Sequence, residues 1–282
     1  MTHDGKSASE LLARIEHAAS RHETMHAGRR IVWRRFGHGP ALVLLHGGHG
    51  SWLHWVRNIE TLSRQHTLWL PDMPGYGDSD DLEGDGRGPE AMERLVDAVA
   101  GSMAAVIGAG TPVDLAGFSF GGFVAARIAA RGGVRRLALI GPAGHGGRRP
   151  PSSDLLDWRS LAPAERAAAL RHNVATLMLH DPANIDDVAL AVYEAQVRTT
   201  RFNSKAISRA GGLQAALAAH AGPVLLVWGA HDITATPAEL APQLAARCRD
   251  ATWRVVEGAG HWVQYERDDT VSSLLDDWFC AP

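Results

Sequence analysis

Lysine is nearly missing from this chain. Lys6 and Lys205 are the only two in 282 residues, so almost all positive charge is arginine. Alongside abundant alanine this reflects genomic base composition, and no function follows from it. Basic excess is missing too: 28 Lys and Arg against 31 Asp and Glu give a formal net charge of -3. Such a balance lacks the cationic footprint that phosphate backbones require, which excludes nucleic acid as a partner. Cys248 and Cys280 are the only cysteines, too few and too far apart for a disulfide framework, and they fit a reducing compartment. No stretch approaches the run of about 18 apolar residues that a membrane span needs. The first residues, Met1-Thr2-His3-Asp4-Gly5-Lys6, lack the basic-then-apolar pattern of a secretory signal. The expectation is a soluble, cytoplasmic protein that does not engage membranes.

What is present suits a buried core: 45% of residues are hydrophobic and 21% charged, close to the soluble average. Short Val, Ile and Leu-rich runs over 41–46, 67–72, 113–119, 137–141, 224–229 and 252–257 each end in glycine or a polar turn and read as buried strands. Helical periodicity over 89–107 and 120–130 falls between several of them. That alternation predicts an α/β fold with a mostly parallel sheet covered on both faces. Residues 29–36 suit an outer hairpin strand, and 7–20 an amphipathic helix whose docking the sequence leaves open, a homo-oligomer contact being one use. Between 145 and 222 no strand is convincing, whereas 163–180 and 185–199 favour helix. The expected organisation is an N-terminal helical extension (1–28), an α/β core (29–144 and 223–282) and an inserted helical cap (145–222).

Gly117-Phe118-Ser119-Phe120-Gly121 fits G-x-S-x-G between a strand and a helix, the context of a nucleophile elbow. The glycines allow a sharp turn that lifts the serine hydroxyl clear of the sheet. A serine hydroxyl is a weak nucleophile and needs a base that is itself oriented. Of fifteen histidines, His261 follows the 252–257 strand in Gly258-Ala259-Gly260-His261-Trp262, and Asp232 follows the 224–229 strand. Both sit at strand ends, where ligands bind in open α/β sheets. The order Ser119, Asp232, His261 differs from that of other serine hydrolase folds.

These residues resemble the α/β-hydrolase superfamily from about Arg29 to the C-terminus. Leu45-His46-Gly47-Gly48-His49-Gly50 is similar to the family's oxyanion loop, which implies Gly48 and Phe120 as N–H donors. Asp72-Met73-Pro74-Gly75-Tyr76-Gly77-Asp78-Ser79 resembles a structural turn of the family. Residues 52–58, Trp-Leu-His-Trp-Val-Arg-Asn, and 260–266, Gly-His-Trp-Val-Gln-Tyr-Glu, are similar to stretches of the meta-cleavage-product hydrolases. That narrower resemblance implies hydrolysis of a carbon–carbon bond in a 2-hydroxy-6-oxo-dienoate, a small-molecule substrate, without a cofactor. It implies Phe118, Trp262 and His54 at the substrate and Arg198, in preference to Arg201, holding its carboxylate. The sequence departs from the pattern at Phe118, where those enzymes carry asparagine, and in the apolar loop after Asp232. A carboxylesterase is therefore the alternative. His46, His49 and His54 cluster closely, but acidic and cysteine partners at ligand spacing are missing, so no metal is expected. Serine at 119 argues against haloalkane dehalogenases and epoxide hydrolases, and an intact triad against a non-catalytic binding module.

Overall fold

Apolar runs flanked by glycine become strands here because both faces of the sheet are covered. The computed structural model describes residues 7–84, 88–147 and 155–281. In chain order it contains α1 (Ala8–Ala18), β1 (Ser20–His26), β2 (Arg29–Phe36), β3 (Ala41–Leu45), α2 (Ile59–Leu62), β4 (Thr67–Pro71), α3 (Gly88–Ile107), β5 (Val113–Phe118), α4 (Phe120–Ala129) and β6 (Val134–Ile140). Helices α5 (Pro163–Leu177), α6 (Asp187–Thr199), α7 (Ser204–Arg209) and α8 (Leu213–Ala219) follow. The chain closes with β7 (Val224–Gly229), α9 (Pro237–Ala245), β8 (Ala251–Val256), α10 (Val263–Glu266) and α11 (Asp268–Cys280).

The strands form one sheet of order β1-β2-β4-β3-β5-β6-β7-β8. Pairing is antiparallel in β1–β2 and β2–β4 and parallel from β4 onward. Strands β4, β5 and β7 are buried along their whole length, as a sheet sandwiched between helices requires. One apolar cluster joins α3, α4 and α8 to one face, and a second joins α2, α5, α6 and α11 to the other. The carboxyl ends of the parallel strands therefore share one edge of the molecule.

One correction to the sequence reading concerns the start of the chain, where the docking of the first helix, left open by the sequence, is also seen. Residues 20–26, placed within a helical extension, form strand β1. Its side chains are almost all exposed, and an edge strand of Ser-Arg-His-Glu-Thr-Met-His shows no apolar alternation to detect. Helix α1, capped by Ser7 and Glu10, docks on its own chain: Leu11, Leu12 and Ile15 pack against the second cluster, and the helix lies beside α6. Between β6 and β7 the described residues contain helices and a 3-10 turn, with no strand. Residues 1–6 of the expected extension and 148–154 of the expected cap lie outside the described residues. No helix of the described chain is long and apolar enough to cross a membrane.

Candidate active site

The turn after β5 sets the geometry. Ser119 has φ 53° and ψ -116°, a conformation that costs a non-glycine residue of order 1–3 kcal/mol and persists only where the surroundings impose it. The surroundings here are glycines. A Cβ on Gly121 would overlap the carbonyl of His46, and one on Gly117 would lie 2.7 Å from the carbonyl carbon of Gly121. The first turn of α4 is thereby pressed against the ends of β3 and β5, and Ser119 is left at the helix amino terminus.

Two further strand ends meet this turn. His261 Nε2 lies 2.9 Å from Ser119 Oγ, and His261 Nδ1 lies 2.8 Å from Asp232 Oδ2. His261 and Asp232 are buried. Asp232 Oδ1 accepts the backbone N–H and the hydroxyl of Thr234, both at 2.8 Å. Burial alone would push the Asp232 carboxyl up, but the neighbouring His261 and the hydrogen bonds from His261 and Thr234 hold it below the usual carboxylate range. Thr234 was not anticipated. Its signal is the Asp-x-Thr spacing, in which an aspartate side chain closes a turn onto the N–H two residues on.

The loop after β3 faces the same point. A Cβ built on Gly48 would lie 3.5 Å from Cβ of Phe120, so the two expected oxyanion donors are neighbours. Two buried histidines hold the peptide before Gly48. His46 Nδ1 donates to Gly47 O at 2.8 Å while its Nε2 accepts the Met73 N–H at 3.0 Å. His54 Nδ1 accepts the Gly47 N–H at 3.1 Å. Burial pushes His46 down to about 4, opposed by its bond to Gly47, and burial with the neighbouring His46, His261 and His49 pushes His54 well down. Both rings are therefore neutral near pH 7, and both ring nitrogens of His46 are committed to backbone.

Phe118, His54 and Trp262 form a buried aromatic wall behind His261. The Phe118 ring is 4.9 Å from His261 and 5.1 Å from His54, and Trp262 is 5.3 Å from His54. Trp262 Nε1 donates to the His54 carbonyl at 2.8 Å. Arg198 meets other partners. Helix α6 turns Val188, Ala189, Val192, Tyr193 and Gln196 inward, which puts residue 198 on the outer face. Its half-exposed guanidinium bonds Glu194 Oε1 at 2.7 and 3.1 Å and covers the Trp158 ring at 5.0 Å. Arg201 is occupied as well, by Asp81 at 2.5 Å and by the carbonyls of Gly77, Ser79 and Thr199.

The stretches 52–58 and 260–266 prove to pack on one another. Asn58 Nδ2 donates to Gln264 O, and Arg57 donates to Tyr265 O and to Asp186 of the helical insertion. Their shared motifs thus join loops and insertion.

An elbow serine, an aspartate and a histidine after β5, β7 and β8 are what nucleophilic acyl chemistry needs. Residues 42–274 match the model of the alpha/beta hydrolase family, and the chain belongs to that family. It is 36% identical to a pyrrolizixenacetamide deacetylase of Xenorhabdus hominickii, over 48% of this chain and about half (50%) of the length of that enzyme. Over 88% of the chain and 91% of the relative, it is 26% identical to a 2-hydroxy-6-oxo-6-phenylhexa-2,4-dienoate hydrolase of Burkholderia cepacia. In fold it is similar to an esterase from a Rhodococcus species, with TM-score 0.75 and 22% identity, over 94% of this chain and 99% of the other. The chain thus belongs to the alpha/beta hydrolase family, with a dienoate hydrolase among its relatives and an esterase among the solved structures that share its fold.

Proposed function

We propose that the protein hydrolyses carboxylic esters of small molecules through an acyl-enzyme on Ser119. His261 removes the Ser119 proton as the hydroxyl attacks the carbonyl, and returns it to the leaving alkoxide. Asp232 orients the imidazole and stabilises the imidazolium that forms. The N–H groups of Gly48 and Phe120 take the oxyanion, each donor of this kind being worth about 3 to 4 kcal/mol. Water, deprotonated by His261, then releases the acid. The helices α5 to α8 between β6 and β7 act as the cap that shapes the pocket.

The observation that carries the ester reading over the expected carbon–carbon reading is the placement of Arg198. Arg198 is bonded to Glu194 and Arg201 to Asp81, and the wall beside His261 is aromatic, which supports a substrate without a carboxylate. An ester needs the triad and the oxyanion hole without that cation. Similarity to the dienoate hydrolase over nearly the whole chain keeps carbon–carbon hydrolysis as the second reading. Side-by-side assays of p-nitrophenyl esters and a coloured 2-hydroxy-6-oxo-dienoate separate them. Turnover of esters with an unchanged dienoate is the expected result. Efficient bleaching of the dienoate would transfer the assignment to the second reading.

A further inference from the structure

A second acid stands five residues after the base and has no part in the chemistry above. Glu266 is buried, and its carboxylate is met by N–H donors. Oε2 accepts Gly260 N–H at 2.7 Å, Oε1 accepts Asp181 N–H at 2.6 Å, and both oxygens lie 3.0 Å from His180 N. Asn184 Nδ2 adds a longer contact at 3.4 Å. Gly260 immediately precedes His261, whereas His180, Asp181 and Asn184 belong to the helical insertion, between α5 and α6. One carboxylate therefore bridges the loop of the base and the segment that covers it.

The same seam is closely packed along its length. A Cβ on Gly260 would come within 2.9 Å of His180 N and 3.0 Å of Met178 O. Trp262 N–H donates to Met178 O at 2.7 Å, on the other side of His261. A second tie lies further along: Arg57 Nη2 and the Tyr265 hydroxyl each reach Asp186 at 2.5 Å, and Asp186 caps α6 through the Ala189 N–H. The backbone on both sides of His261 is thus fastened to the insertion and is not free to place the imidazole by itself.

We propose that Glu266 is the positioning residue of His261: its carboxylate joins the peptide before the base to the helical insertion, so that seating the insertion and aligning the base are one event. This rests on the triad reading given above. A carboxylate suits the position because it accepts from four N–H groups at once. An amide in its place would turn an NH2 toward one of those donors and leave that N–H without an acceptor. The alignment that Glu266 enforces matters because small misplacements of a catalytic group, caused from outside the reacting atoms, cost rate steeply.

Labelling of Ser119 by a fluorophosphonate reads the competence of the triad whatever the substrate is, and p-nitrophenyl ester kinetics supply kcat and KM. Glu266→Gln is expected to slow labelling and kcat by roughly 10- to 100-fold per active site, with KM little changed. Glu266→Asp, which keeps the charge at shorter reach, is expected to recover part of the loss. Asp186→Asn, which loosens only the second tie, is expected to slow labelling less than Glu266→Gln. A merely structural role would lower Tm and the labelled fraction while leaving the rate per active site at the wild-type value; that result overturns the inference. If Glu266→Gln fails to fold, Glu266→Asp and Asp186→Asn decide, and wild-type rates in both overturn it. A wild-type protein that resists labelling would overturn the triad reading and this inference with it, whereas a labelled wild type with an equally fast Glu266→Gln variant overturns this inference alone.

Discussion

Residues at the carboxyl ends of β3, β5, β7 and β8 are held by backbone, whereas Arg198 on the outer face of α6 is held by an exposed ion pair. Ser119 is fixed by a strained turn against two glycines, and Gly47 by two neutral histidines. Arg198 is fixed by a half-exposed contact with Glu194 one turn away. Where a sequence motif encodes backbone, as around Ser119, residue type and spacing determine where a side chain ends up. Where it encodes only a helix, the face and the partner decide, and an arginine finds the nearest acid.

Three substitutions or conditions sharpen this contrast. Asp232→Asn removes the carboxylate that orients His261 and is expected to lower kcat by about 10^4-fold while the fold is kept; circular dichroism alongside ester kinetics checks it. Acid should act on the backbone-held region through His46. Its value is about 4 in the folded protein against an ordinary 6.5, so between these values the unfolded chain binds the extra proton. The stability from its neutral form is full above pH 6.5 and is lost as pH falls toward 4, by about 3 kcal/mol. Urea denaturation at pH 7 and pH 4.5 measures the loss, and His46→Asn should flatten the dependence. Arg198→Ala stands at the small end. An exposed i,i+4 pair contributes at most about 0.5 kcal/mol, so stability and ester turnover should both stay near wild type. A large loss of dienoate binding or bleaching in Arg198→Ala, with ester turnover kept, would restore the carboxylate-holding role expected from the sequence.

Much of the fold was legible because the buried strands are short apolar runs ended by glycine, and their observed limits differ from the expected ones by a few residues at most. Strand β1 was not, since an exposed edge strand carries no periodic signal. The residues of the candidate triad were legible from motif and chain order, and the structure brings Ser119, His261 and Asp232 within hydrogen-bond reach. Their supports were less so. Thr234, His46 and Glu266 act through backbone groups brought together by folding, and a single sequence does not reveal which N–H a buried carboxylate or imidazole will meet. The aromatic-rich stretches 52–58 and 260–266 illustrate the converse. They invited a substrate assignment, yet Asn58, Arg57 and Tyr265 bond to one another's loops and to Asp186.

The central claim is covalent catalysis at Ser119. Rapid quenching of the protein with a p-nitrophenyl ester, followed by digestion and mass spectrometry, should find the acyl group on the peptide that contains Ser119 and none in Ser119→Ala, which should also lose nearly all turnover. Ester hydrolysis by Ser119→Ala at the wild-type rate, with no acyl adduct on the wild-type peptide, would contradict the account.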